Sequence, residues 1–286
     1  MINLSIVIPA KNESLGLNRF LPELVKQYPE AEIIVVNDGS DDDTAVVAES
    51  LGARVISHPY PKGNGAAIKS GARAASRELL LFMDGDGQHR VEDIAPLQEK
   101  MAQGYDLVVG ARQGVASQAS LFRWGANNFY NRLSSWMVGQ KIEDLTSGMR
   151  LVKREKFMEF LYLLPNGFSY PTTSTMAFYR AGYSVGFVGI VCEQREGDSH
   201  INLVRDGIRF LLIIFKIGTL YSPLKLFFPI AAITFASGLG YYGYTYFSLG
   251  RFTNMSLLLF VSSVIIFLIG LISEQISNLT YKLDSH

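Results

Sequence analysis

Between Leu226 and Ser273 the chain carries a single charged residue, Arg251. No other feature restricts its architecture as strongly. At 1.5 Å per residue, 226–248 spans about 34 Å and 255–273 about 28 Å, each near the thickness of a bilayer core. An Arg at mid-bilayer costs roughly 2.5–3.5 kcal/mol, so Arg251 belongs in a turn between two spans. Two spans return the chain to the side it left. Lys216 and Lys225 before the first span and Lys282 after the second put both ends in the cytosol. The expectation is a two-helix hairpin over 226–277 in the cytoplasmic membrane, followed by a short cytosolic tail, 278–286.

The approach to that hairpin, 201–225, has its own pattern. Arg205, Arg209 and Lys216 are spaced by four and seven, which a helix places on one face, and Leu211 to Phe215 supply apolar bulk. This predicts amphipathic juxtamembrane helices at the lipid headgroups. Residues 1–200 differ in kind. Their N-terminus lacks a basic n-region and its apolar run is too short for a signal peptide, so a cytosolic domain is expected. The 26 basic and 26 acidic residues of the whole chain balance, so no bulk field points to nucleic acid. The lone Cys192 excludes an internal disulfide and a cysteine-based zinc site, and reads as a small buried residue in a strand.

Within 1–200, short β-branched runs alternate with helical stretches. Leu4 to Ile8, Glu32 to Asn37, Arg54 to Ser57, Leu79 to Met83 and Asp106 to Val109 read as strands, nearly continuous in apolar character and so buried on both faces. Helices are expected over 14–27, 42–51, 64–76 and 91–103, with N-cap candidates at Asp41 to Thr44 and Pro96 early in the fourth. A further strand is expected at Ser184 to Val191. The alternation predicts a doubly wound, mostly parallel α/β sheet whose ligands sit at the carboxyl ends of its strands. The third helix repeats Ala66, Ala67, Ser70, Gly71, Ala74 and Ala75 at helical spacing, which allows close packing on the sheet.

The polar residues that could do chemistry cluster at those strand ends. Asp84-Gly85-Asp86-Gly87-Gln88-His89 closes the fourth strand, and its glycines permit the turn that brings both carboxylates together. Two carboxylates and an amide oxygen are hard ligands suited to Mg²⁺ or Mn²⁺, not zinc. An EF-hand is excluded, because His89 stands where its loop needs Gly. Pro9-Ala10-Lys11-Asn12-Glu13 ends the first strand and Asn37-Asp38-Gly39-Ser40 the second, where a carboxylate can accept from a nucleobase or ribose or simply shape a turn. Lys62-Gly63-Asn64-Gly65 is like a phosphate cradle without the full P-loop pattern, and no Gly-x-Gly-x-x-Gly follows the first strand. His58 and His89 read as loop residues.

Taken in order, Ile6 to Glu13, Val36 to Ser40, Asp84 to Gln88 and Ser147-Gly148-Met149-Arg150 resemble a GT-A glycosyltransferase of family 2. With two C-terminal spans, the whole chain is similar to the polyprenyl-phosphate glycosyltransferases, such as dolichol-phosphate mannose synthase and the undecaprenyl-phosphate sugar transferases. The resemblance implies a metal-dependent, inverting transfer of a sugar from a nucleotide-diphosphate sugar, UDP-hexose before GDP-mannose, to a membrane polyprenyl phosphate. It implies that Pro9, Ala10, Glu13, Asp38, Asp84 and Arg112 bind the nucleotide sugar. Asp84, Asp86 and Gln88 would carry Mg²⁺ or Mn²⁺, and Asp144 would lie near the attacking group, with Asp86 and Arg150 as its catalytic companions. Arg123, Arg150, Arg195, Ser199 and His200 would meet the acceptor phosphate. The bilayer is a partner, a homo-oligomer is compatible with the resemblance, and nucleic acid is not implied.

One departure lies at His200, where relatives often carry Lys; an imidazole there would change charge near pH 6.5. A processive polysaccharide synthase fits less well, since Ser120 stands where its Gln-x-x-Arg-Trp signature needs Gln before Arg123-Trp124. The alternatives are another family 2 transferase acting on a cell-envelope glycan or lipid, and a noncatalytic membrane scaffold that binds sugar nucleotides.

Overall fold

The structure is a computed structural model that describes residues 3–113, 121–167, 169–191, 215, 218–219 and 221–282, without the side chains at 121–124, 126–127 and 280–282. The chain divides into two compact units, Met1–His200 and Ile201–His286. The first is built on a seven-stranded sheet of order β3-β2-β1-β4-β6-β5-β7. Its strands are β1 (Leu4–Ala10), β2 (Glu32–Asn37), β3 (Arg54–Ser57), β4 (Leu79–Phe82), β5 (Leu107–Arg112), β6 (Arg150–Lys153) and β7 (Val185–Ile190). All pairings are parallel except those of β6, which runs antiparallel to both β4 and β5. The expected mostly parallel sheet is therefore present, with one antiparallel strand that the sequence pattern did not reveal.

Helices connect the strands: α1 (Ser14–Gln27), α2 (Thr44–Ser50), α3 (Asn64–Ala74), α4 (Ile94–Ala102), α5 (Leu121–Val138), α6 (Arg154–Glu159) and α7 (Tyr170–Arg180). Every residue of β1 is buried, which is why its sequence reads as a continuous apolar run rather than an alternation. Leu17, Phe20, Leu21 and Leu24 of α1 recur at helical spacing and close one face of the core with Ile6, Ile8 and Val35. The small residues of α3 serve packing. A Cβ on Gly71 would collide with the Val7 side chain, so glycine lets this helix lie directly on β1 and β2. Just ahead of α2, the Asp42 carboxylate accepts from the backbone N–H of Thr44 at 3.1 Å and from its hydroxyl, which satisfies a donor in the first turn.

Strand order reverses at β1, with β2 and β3 to one side and β4 to the other. The carboxyl ends of β1 and β4 thus flank a topological switch point, the place where open α/β sheets leave a crevice.

In the second unit, helices Pro223–Leu249 and Asn254–Lys282 pack as a hairpin. Both are long and apolar enough to cross a membrane over Pro223–Leu249 and Asn254–Leu279, and they associate the chain with a bilayer. Arg251 lies in the connecting turn, after Gly250 ends the first helix with φ 62°. Close contact is made by glycine and serine: Ser263 Oγ donates to the Ala231 carbonyl at 2.9 Å, and a Cβ on Gly270 would come within 2.7 Å of Phe227 Cβ. At the start of the first helix, Leu224 N–H donates to Glu274 Oε2 at 3.3 Å, satisfying a backbone donor that the helix itself leaves open. The juxtamembrane positions Arg205, Arg209 and Lys216 lie outside the described residues.

Candidate active site

A cavity of about 450 Å³ opens at the switch point, lined by Pro9, Ala10 and Glu13 from the end of β1, by Asp38 after β2, and by Asp84 and Asp86 after β4. Six residues chosen from separate sequence motifs therefore share one wall. Strand geometry explains the convergence, because parallel strands deliver their carboxyl ends to the same edge of the sheet.

The acidic turn is held from two sides. Gly87 adopts φ +72°, and Gly16 in the first turn of α1 leaves just enough room for the Gly85 carbonyl and the Asp86 backbone to lie against it. Gly148 faces the Asp84 carboxylate so closely that any Cβ there would strike it. His89 is buried, with Nε2 3.5 Å from Asp84 Oδ2. Withdrawal from water would raise the Asp84 carboxyl, but His89 and the charges of Arg112 and Arg150 outweigh this and keep it below the usual carboxylate range.

Gln88 is not part of the wall. Its backbone N–H donates to Asp86 Oδ1 at 3.1 Å, which helps shape the turn. No cluster of three His, Cys, Asp or Glu side chains forms a complete metal cage among the described residues. Two hard carboxylates at the edge of an open cavity still fit Mg²⁺ or Mn²⁺, which bind through one or two carboxylates and complete their shells with water and substrate phosphates.

Asp38 lines the cavity, yet its carboxylate is already engaged. Oδ1 accepts from His58 Nδ1 (2.7 Å) and Lys62 N–H (2.8 Å), and Oδ2 from Gly63 N–H (2.7 Å). Burial raises this carboxyl, and the three donors together bring it below its ordinary value. Gly63 and Gly65 do not form a phosphate loop: each is packed against backbone of 165–167, and Ala66 N–H donates to the Asn166 carbonyl at 3.1 Å.

Arg112 and Asp144, expected to serve different substrates, are bound to each other. Arg112 Nε and Nη2 reach Asp144 Oδ2 and Oδ1 at 2.7 and 2.9 Å, and Nη2 also reaches Thr146 Oγ1 at 2.6 Å. Asp144 is buried, which alone would raise its carboxyl, but Arg112 holds it below the usual range. A carboxylate so paired is a weak proton acceptor, and positioning is the role this geometry supports.

Arg150 sits behind the cavity wall. It is fully buried, and its guanidinium donates to the carbonyls of Ser147 and Pro171 and to the hydroxyls of Ser174 and Thr175, at 2.7–3.2 Å. Those bonds turn it inward, joining the start of β6 to α7, and it does not line the cavity. The side chain of Arg123, and all of Arg195, Ser199, His200 and Cys192, lie outside the described residues.

The wall also holds Lys11, Asn64 and Gly148, which stand in the sequence motifs without an individual role, and Thr146, Tyr170 and Pro171. Lys11 stands within the strand-end motif and was findable as a cation beside two acids. Tyr170 had no local signal, since only the packing of α7 brings it to the floor, where its hydroxyl lies 3.4 Å from the Gly148 carbonyl.

Residues 5–161 match the glycosyl transferase family 2 model. The chain belongs to that family. Residues 222–279 of this family 2 chain also match the GtrB C-terminal hairpin. Among similar proteins, a dolichyl-phosphate hexose transferase of Haloferax volcanii is 29% identical over 202 residues, 70% of this chain and 87% of the relative. The polyprenol monophosphomannose synthase of Mycolicibacterium smegmatis is 27% identical over 205 residues, 67% of this chain and 77% of the relative. A solved structure of glucosyl-3-phosphoglycerate synthase from Mycobacterium tuberculosis, in complex with Mn²⁺, UDP and phosphoglyceric acid, superposes with TM-score 0.60 at 21% identity, over 75% of this chain and 78% of that one. That likeness establishes the shared fold of the catalytic unit.

Proposed function

We propose that this family 2 chain transfers a hexose from a nucleotide-diphosphate sugar, UDP-linked before GDP-linked, to the phosphate of a membrane polyprenol such as undecaprenyl phosphate. The observation that carries the reading is the Asp84–Asp86 pair on a 450 Å³ cavity in a chain that also bears a membrane hairpin. The names of the relatives support the lipid acceptor.

In the proposed reaction, an ionised phosphate oxygen of the lipid attacks the anomeric carbon from the face opposite the leaving group. The bond from that carbon to the donor diphosphate breaks, the nucleoside diphosphate departs with the electron pair, and the configuration inverts. No proton need be removed, because the nucleophile is already ionised near neutral pH. Asp84 and Asp86 would hold a divalent cation, which would supply Lewis-acid stabilisation of the charge on the departing diphosphate. Lys11 adds a positive charge on the same wall, and the Arg112–Asp144 pair fixes Thr146 at its edge. Lys216 and Lys225 before the first span and Lys282 after the second support a hairpin with both ends cytosolic.

The test is a transfer assay with the purified full-length chain, undecaprenyl phosphate, Mn²⁺ or Mg²⁺, and a panel of UDP- and GDP-sugars. A metal-dependent, lipid-extractable product from one donor is expected. Transfer to a glycan instead, with none to lipid, would overturn the acceptor.

A further inference from the structure

Behind the cavity wall lies a buried relay that the reaction above does not use. His58 follows β3 and is buried, with both ring nitrogens engaged: Nδ1 lies 2.7 Å from Asp38 Oδ1 and Nε2 2.9 Å from Ser70 Oγ on α3. An ionised carboxylate can only accept, so Nδ1 carries the hydrogen in this pair. Asp38 in turn receives the N–H groups of Lys62 and Gly63 at 2.8 and 2.7 Å. The same segment is fixed twice more. His58 N–H donates to the Asn37 carbonyl at 2.9 Å, and Gly39, at φ +64°, leaves no space for a Cβ between itself and Tyr60–Pro61. Pro61, Gly63 and Asn64, which this scaffold places, all line the cavity.

The direction of these bonds matters. Asp38 was read from sequence as a ligand of the nucleoside, yet three internal donors already converge on its two oxygens. Its carboxylate ties strand β2 to the 61–64 lip, and His58 fixes the rotamer that lets it do so. Two backbone donors are then satisfied on an internal acceptor, leaving the shape of the lip dependent on one imidazole.

We propose that His58 is a positioning residue for the nucleotide, acting through Asp38 and anchored by Ser70, and that it sets affinity for the nucleoside diphosphate without touching the reacting atoms. The inference rests on the reading of the cavity as a nucleotide-sugar site.

The experiment uses the full-length chain in detergent, with UDP and GDP in Mn²⁺ as calorimetric probes, together with donor KM and kcat in the transfer assay. For whichever nucleotide the wild type binds, His58→Ala is expected to raise Kd and donor KM about five- to tenfold, the net size of one ordinary hydrogen bond because the effect is transmitted through Asp38, with kcat within about twofold. His58→Asn, whose amide N–H can replace Nδ1–H, restores most of the affinity. Ser70→Ala, a smaller change for folding, shifts Kd the same way by a lesser factor. Nucleotide affinity within about twofold of wild type in His58→Ala and Ser70→Ala overturns the inference alone. So does equal weakening in His58→Ala and His58→Asn that follows only their loss of melting temperature. A wild-type chain that binds neither nucleotide overturns the functional reading and this inference with it.

Discussion

Arg112 grips Asp144 at two points, Nε to Oδ2 at 2.7 Å and Nη2 to Oδ1 at 2.9 Å, and the Arg112 backbone N–H adds a third contact to Oδ2 at 3.2 Å. The pair joins the end of β5 to the loop before β6, and through Thr146 it reaches the cavity edge. Removing Arg112 leaves a buried carboxylate without its counter-charge. Arg112→Ala is therefore expected to lose about 2–3 kcal/mol, below the range for a wholly buried pair because the arginine is partly exposed. Chemical denaturation of Arg112→Ala, Asp144→Ala and the double variant checks this. The double variant should be no less stable than the worse single one, and additive losses would refute the clamp.

The two carboxylates of the acidic turn should matter to transfer far more than to folding. Asp86→Ala is expected to reduce turnover at least 100-fold, roughly 2.7 kcal/mol or more in the barrier, while the melting temperature changes little because the side chain is half-exposed. Gly148→Ala offers an orthogonal probe, since its new methyl would press directly on the Asp84 carboxylate and displace it from the wall. Turnover together with Mn²⁺ binding followed by paramagnetic resonance distinguishes the outcomes. Near-wild-type turnover in Asp86→Ala would remove the carboxylate pair from the chemistry.

Arg150 separates a structural cation from a substrate-binding one. Its five hydrogen bonds end on internal carbonyls and hydroxyls, so Arg150→Met leaves the Ser147 and Pro171 carbonyls without these donors. The expected cost is about 3 kcal/mol or more. Arg150→Lys should recover little, because an ammonium cannot span the same fork. Thermal melts of both variants provide the check. A stable Arg150→Met that has lost only acceptor KM would return Arg150 to the acceptor phosphate.

Sequence and structure agree most closely where local pattern is enough. The first five strands, the helices between them and the placement of Arg251 in a turn all follow from apolar runs and breaks in hydropathy. Strand β6 escaped because Arg150–Lys153 is only four residues long and begins with a buried arginine, which no hydrophobic pattern anticipates. At the site, motifs at strand ends identified Asp38, Asp84 and Asp86 as wall residues, since topology alone carries strand ends to one edge. What each side chain does there was less legible. Whether Arg112 faces a phosphate or Asp144, and whether His58 is a bystander or a partner of Asp38, depends on pairings between residues 20 or more positions apart. Sequence spacing does not encode such pairings.

Asp106 gives the catalytic unit an acid-sensitive joint. Its carboxylate accepts from Lys153 and Lys156 at 2.8 Å each and from Ser184 N–H and Oγ at 2.9 and 2.8 Å, tying together β5, β6, α6 and β7. Burial would raise its pKa, but these donors hold it well below the ordinary 3.8. A depressed carboxylate contributes stability that is complete above the unfolded value and is lost as pH falls through 3.8 toward the folded one. The wild type should therefore lose more melting temperature between pH 6 and pH 3 than Asp106→Asn does. Equal losses in the two proteins would show that the acid sensitivity resides elsewhere.

The hairpin can be tested at two glycines of unlike packing, Gly270 buried and Gly240 exposed. Gly270 faces Phe227, where a Cβ would come within 2.7 Å of Phe227 Cβ, whereas nothing lies within 4 Å of a Cβ on Gly240. The helices meet through close van der Waals contact, since lipid tails provide no hydrophobic drive for association. Gly270→Ile should thus force the helices apart, at a cost of about 1–3 kcal/mol from overpacking, while Gly240→Ala should be neutral. Melting in detergent checks the first effect. Transfer to undecaprenyl phosphate in liposomes checks whether hairpin geometry serves the reaction, with calorimetric UDP or GDP binding as the internal control. Nucleotide affinity should stay unchanged in Gly270→Ile while transfer to embedded acceptor falls severalfold. If affinity and transfer fell together, the hairpin would be needed for the fold of the catalytic unit and its specific part in presenting the lipid would be refuted.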